Sequence, residues 1–142
     1  MMRKLAIALA LVAGPAMAED AIVTGYDGSF EDAAFAVENA IVNAGLVIDY
    51  VSHVGEMLNR TGADVGSDAA LYTQADVFLF CSAVVSRQVM EADPLNLVHC
   101  PYGIAVAETA EGVLILHRDY PEGAMQAVED LLAGIVAEAA AF

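Results

Sequence analysis

Between Ser29 and Gly45, apolar residues recur at spacings of three and four: Phe30, Ala34, Val37, Ile41 and Ala44 fall on one stripe. This spacing predicts a helix lying on a core. Ser29 stands as its cap, Asp32 follows in capping-box register, Glu31 and Asp32 complement the positive helix start, and Gly45 suits a left-handed exit. Ala21 to Tyr26 before it and Leu46 to His53 after it read as strands. Residues 55 to 75 mix Gly, Asp and Ala around Met57 and Leu58, which predicts a short helix and then a loop. Val77 to Ser82 (VFLFCS) has strand length and aromatic content. A short helix fits Val84 to Ala92 and stops at Pro94. GIAVAE from Gly103 and VLILHR from Val113 form a hairpin through Thr109 to Gly112. Pro121 is a favourable first residue for a last helix, whose stripe is Met125, Val128, Leu132, Ile135 and Ala139.

Long helices near the two ends, with strands gathered between them, predict an α+β fold with a mainly antiparallel sheet rather than an alternating parallel one. The strands are apolar at both odd and even positions, as in LVIDYV, VFLFC and VLIL. A sheet exposed on one face alternates more cleanly. Helices are therefore expected on one face and a second subunit on the other, making a homodimer.

The chain opens MMRKLAIALALVAGPAMA: a basic pair at Arg3 and Lys4, an apolar run from Leu5 to Ala13 and a small-x-small exit at Ala16, Met17 and Ala18. This is the pattern of a secretory signal peptide, and the apolar run is too short to span a bilayer. Residues 1–18 are read as the signal and 19–142 as a single domain, periplasmic or secreted after cleavage near Ala18. Cleavage leaves three arginines, no lysine and twenty carboxylates, a net charge of −17. Such a surface repels nucleic acid and anionic membrane, so neither is expected as a partner. No internal repeat or linker divides the mature chain.

The chemistry-bearing stretch is DVFLFCSAVVSRQVMEADPLNLVHCPY, from Asp76 to Tyr102, which holds both cysteines. Cys81 ends one strand and Cys100 precedes the next, so an exported chain with this pair is expected to close a Cys81–Cys100 disulfide. The alternative is a metal site for Cu(I) or Zn(II) built from Cys81, His99 and Cys100 with Met90 as a fourth donor. His99 and Cys100, being adjacent, would have to turn irregularly to reach one ion. Thiol redox is a third reading, with Cys81 at a helix entrance and Arg87 one to two turns on. Ser82 or Ser86 with His99 or His117 could be assembled into a hydrolytic triad on paper, but GxSxG, CxxC, HExxH, glycine-rich phosphate loops and DxDxDG are all absent. His53 and His117 read as hydrogen-bonded surface residues at strand ends.

Three segments, SFEDAAFAVENAIVNAGLVI, DVFLFCSAVVSRQVMEADP and CPYGIAVAETAEGVLIL, resemble the small bacterial and archaeal family known as domain of unknown function 302 (DUF302). The resemblance runs from about Ile22 to Ala137. It implies a β-α-β(4)-α domain of the TATA-binding-protein-like class, a dimer, no established catalytic activity and no active site to carry over. Where many members place a cysteine directly after the hairpin proline, this chain has Tyr102, and its own cysteine stands before that proline as Cys100. The FCSA…HCPY pairing resembles an exported branch. The expected protein is a binding or accessory domain rather than an enzyme, with no cofactor apart from Cu or Zn in the alternative reading.

Overall fold

The computed structural model describes residues 21–142; the signal segment read at residues 1–18 lies outside the described residues. In chain order the elements are β1 (Ala21–Tyr26), α1 (Phe30–Asn43), β2 (Val47–Ser52), α2 (Val54–Thr61), a 3₁₀ turn (Ala63–Val65), β3 (Gln74–Cys81), α3 (Ala83–Ala92), a 3₁₀ helix (Pro94–His99), β4 (Tyr102–Thr109), β5 (Gly112–Arg118) and α4 (Gln126–Ala140). All strand pairs are antiparallel, in the order β1-β5-β4-β3-β2. The α+β class and the β-α-β(4)-α order expected from the sequence are therefore present, with α2 and α3 as short insertions.

Local chemistry sets the ends of α1. The Asp32 backbone N–H donates to Ser29 Oγ at 3.1 Å, and the Ser29 hydroxyl donates to Asp32 Oδ2 at 2.8 Å. At the other end Gly45 adopts φ 78°, which a residue with a Cβ adopts only under strain. The buried stripe of α1 is Phe30, Ala33, Ala36, Val37, Ala40 and Ile41, rotated slightly from the expected one: Ala34 is half-buried and Ala44 exposed. Three alanines on this stripe allow α1 to lie close to both the sheet and α4. Phe78, Phe80, Tyr102, Ile104 and Ile115 point from the sheet into the same core, opposite Val128, Leu132 and Val136 of α4.

Three boundaries differ from the sequence expectation. β3 begins at Gln74 rather than Val77, because Gln74, Ala75 and Asp76 already pair with Glu108, Ala107 and Val106 of β4. α4 begins at Gln126 rather than Pro121. Gly123 turns the chain at φ 97°, while the Glu129 carboxylate accepts from the Tyr120 N–H at 3.0 Å. Pro94 does not open a plain turn but a 3₁₀ helix. Asp93 Oδ1 accepts from the Leu95 N–H at 2.9 Å, and the Asn96 side chain donates to the Val89 carbonyl at 2.9 Å.

The second face of the sheet carries Val23 of β1, Leu114 and Leu116 of β5, Gly103 and Ala105 of β4, and Val77 and Leu79 of β3. Among the described residues no helix packs over it. The apolar alternate positions that made both faces look buried are real, but among the described residues of one chain only the helical face is covered.

Candidate functional site

Cys81 is the last residue of β3 and lies on the uncovered side of the sheet, since Phe78 and Phe80 alternate into the core. Cys100 caps the 3₁₀ helix and is joined to Pro101 by a cis peptide bond. β4 then pairs with β3, with Tyr102 opposite Phe80. The two cysteines meet at this junction: both are half-buried free thiols, close enough for each to feel the other. Burial first, then the Cys100 contact and the negative charge of Asp49, pushes the Cys81 thiol up to about 12.

The metal set of the alternative reading is not gathered in one place. Among the described residues no three His, Cys, Asp or Glu side chains are placed to hold one ion. Cys81 and Cys100 come together, but Met90 packs against the hydrophobic core and the His99 ring stacks edge-on against Tyr120 at 5.7 Å. The reason is the one anticipated from adjacency, namely that His99 closes the 3₁₀ helix while Cys100 already turns toward β3. Arg87, the cation considered for a reactive thiol, pairs instead with Glu91 at 3.3 Å along α3.

The serines are also committed elsewhere. Ser82 is buried and caps α3, accepting from the Val85 N–H at 3.2 Å. The Ser86 hydroxyl bonds the Tyr102 hydroxyl at 3.0 Å. Neither serine bonds a histidine, so the paper triads do not exist here. His53 pairs with Asp76 at 2.7 Å and is exposed, as expected of a surface strand-end residue. His117 is hydrogen-bonded but not a surface residue: it is 5% exposed, with Nδ1 3.0 Å from the Arg118 carbonyl.

A cavity of about 510 Å³ adjoins the thiol pair, where the start of β4 meets the end of β5. Val77, Leu79, Gly103 and Leu116 form its floor on the uncovered sheet face, and His99 and Cys100 form one wall. His117, Arg118 and Tyr120 form the other. Burial pushes the Tyr120 phenol up to about 12, against the opposing effect of the nearby Arg118 charge. His99 Nδ1 is shielded from solvent and has no hydrogen-bond partner. Sequence reasoning missed Arg118 and Tyr120. The available signal was HRDY at the end of the hairpin, a concentration of positive and aromatic groups in a chain with few of either.

The family model described as "Domain of unknown function DUF302" matches residues 22–141. Among solved structures, the chain is similar to a crystal structure of "uncharacterized conserved protein DUF302 from Bacillus stearothermophilus", with a TM-score of 0.68 and 13% sequence identity. The match covers 84% of this chain and 95% of that one. At that identity the likeness is one of fold. No curated protein matches the sequence.

Proposed function

Because the chain belongs to the DUF302 family, whose description assigns no activity, we propose that it is a non-enzymatic binding or accessory domain, exported, dimeric, and closed by a Cys81–Cys100 disulfide. The observation that carries this reading is the uncovered apolar sheet face with the two thiols in contact at its edge. Two copies of the cleaved chain, each at net charge −17 once Arg3 and Lys4 are removed, repel each other over most of their surface. The part of the sheet face outside the cavity, with Val23 and Leu114, offers them apolar area. Exposed Leu95, Leu97 and Val98 on the 3₁₀ helix extend the apolar surface beside it. A second copy is thus the favoured cover.

The thiol chemistry favours a structural bond over a reactive one. A thiol raised to about 12 is scarcely ionised at neutral pH, which disfavours both nucleophilic redox cycling and thiolate ligation of Cu or Zn. As a leaving group such a thiol is poor, so a disulfide once formed resists exchange. Closing the loop between residues 81 and 100 contributes on the order of 3 kcal/mol. Mass spectrometry of protein from the exported fraction, with and without reduction and alkylation, is expected to show a chain cleaved near Ala18 that takes alkyl groups only after reduction. Light scattering is expected to give twice the chain mass, and reduction to lower the melting temperature by about 10 °C. A monomer with two freely alkylated thiols and a bound metal would reverse the reading.

A further inference from the structure

The cavity beside the thiol pair combines an acid-free lining with an arginine, Arg118. Among the described residues, none of those lining it is Asp or Glu, although the chain has twenty acids against five lysines and arginines. Two of the three histidines, His99 and His117, line it together with Arg118. The other two arginines of the mature chain are engaged by glutamates one helical turn away, Arg60 with Glu56 at 4.0 Å and Arg87 with Glu91 at 3.3 Å. Arg118 has no carboxylate partner among the described residues. Arg118 thus stands in a concave place whose lining holds no neutralising acid.

The remaining walls define the other half of the ligand. Val77, Leu79 and Leu116 present an apolar floor. At Gly103 a Cβ would come within 3.3 Å of Leu79 Cδ2 and Val77 Cγ1, so any side chain there would crowd this floor. The volume, about 510 Å³, falls within the range of small-molecule sites.

From these features we infer that the cavity binds a small organic anion, an amphipathic carboxylate whose charged head lies at Arg118 and whose apolar body rests on the Val77, Leu79 and Leu116 floor. The inference names a ligand class for the binding role proposed above and rests on that reading. It does not require the disulfide or the dimer. The Tyr120 phenol keeps its proton at neutral pH and adds a neutral donor beside the head group.

The test is calorimetric titration of the purified protein with sodium octanoate, and in parallel with octylammonium and with acetate, which lack the negative head and the apolar body respectively. Octanoate is expected to bind once per chain with a dissociation constant of about 1 mM or tighter. Octylammonium and acetate are expected to give no saturable heat at the same concentrations. Arg118→Gln, an exposed position, is expected to weaken octanoate about tenfold without moving the urea midpoint. Absent octanoate binding, equal binding of octylammonium, or unchanged affinity in Arg118→Gln would each overturn the inference. A dimer with oxidised cysteines that binds no octanoate defeats only this site, and an octanoate-binding monomer with free thiols defeats only the assembly proposed above.

Discussion

Replacing Ser86 and Tyr102 singly and together tests how the strand behind the thiol pair is held. Tyr102 is fully buried, and its hydroxyl meets the Ser86 hydroxyl at 3.0 Å. Ser86 is half-buried on α3, so its hydroxyl can turn to water when its partner is lost. The two deletions are therefore unequal. Ser86→Ala leaves the phenol hydroxyl sealed in the core without a partner and should cost about 2 kcal/mol, the desolvation of one buried donor. Tyr102→Phe removes the hydroxyl that needed satisfying and should cost about 1 kcal/mol or less. The double variant should resemble Tyr102→Phe alone, giving a coupling of about 2 kcal/mol. Urea unfolding followed by circular dichroism measures all four corners of the cycle, provided the slopes agree. Additive losses, or a harmless Ser86→Ala, would refute the reasoning and remove the bond as a fastener between α3 and β4.

Two further outcomes are expected. Leu132→Ala empties a fully buried site between α4 and the sheet and should cost about 3 kcal/mol, read as a lowered urea midpoint with unchanged slope. Alkaline conditions should weaken the fold through Tyr120, whose folded value of about 12 lies above its ordinary 10.0. Between those values the unfolded chain releases its proton while the folded chain keeps it, so the contribution, on the order of 2 kcal/mol, is complete below pH 10 and lost as pH rises through 12. Tyr120→Phe should flatten that limb. In reduced protein Cys81 adds a loss of the same sign from pH 9.0 upward, which oxidation should abolish.

Much of this architecture is legible in the residues, for reasons that are local. The Ser29 cap, the Gly45 exit and the Thr109 to Gly112 hairpin each depend on neighbours within a few positions. The Pro94–His99 helix escapes such reading because its fasteners are side chains that look like turn formers, Asp93 at its start and Asn96 reaching back to Val89. The convergence of Cys81 and Cys100 follows from strand order and was foreseeable. That the His99 ring would stack on Tyr120 was not, because it depends on how the helix ends. The acid-free cavity depends on β5 ending beside the start of β4, and no spacing along the chain expresses that.

The strand order β1-β5-β4-β3-β2 has a consequence in time. β1 is the first element made, yet its partner along the ladder is β5, with Ala21 opposite Arg118. At about 5–20 residues per second, the ribosome takes some seconds to supply that partner. Throughout that interval the first strand has no ladder to join, and the sheet lacks one of its edges. A chain that finishes itself by returning to its own beginning stays open until nearly its last quarter has appeared. Contacts of such long reach also slow folding after release. Delay of this kind comes from the order of the strands alone.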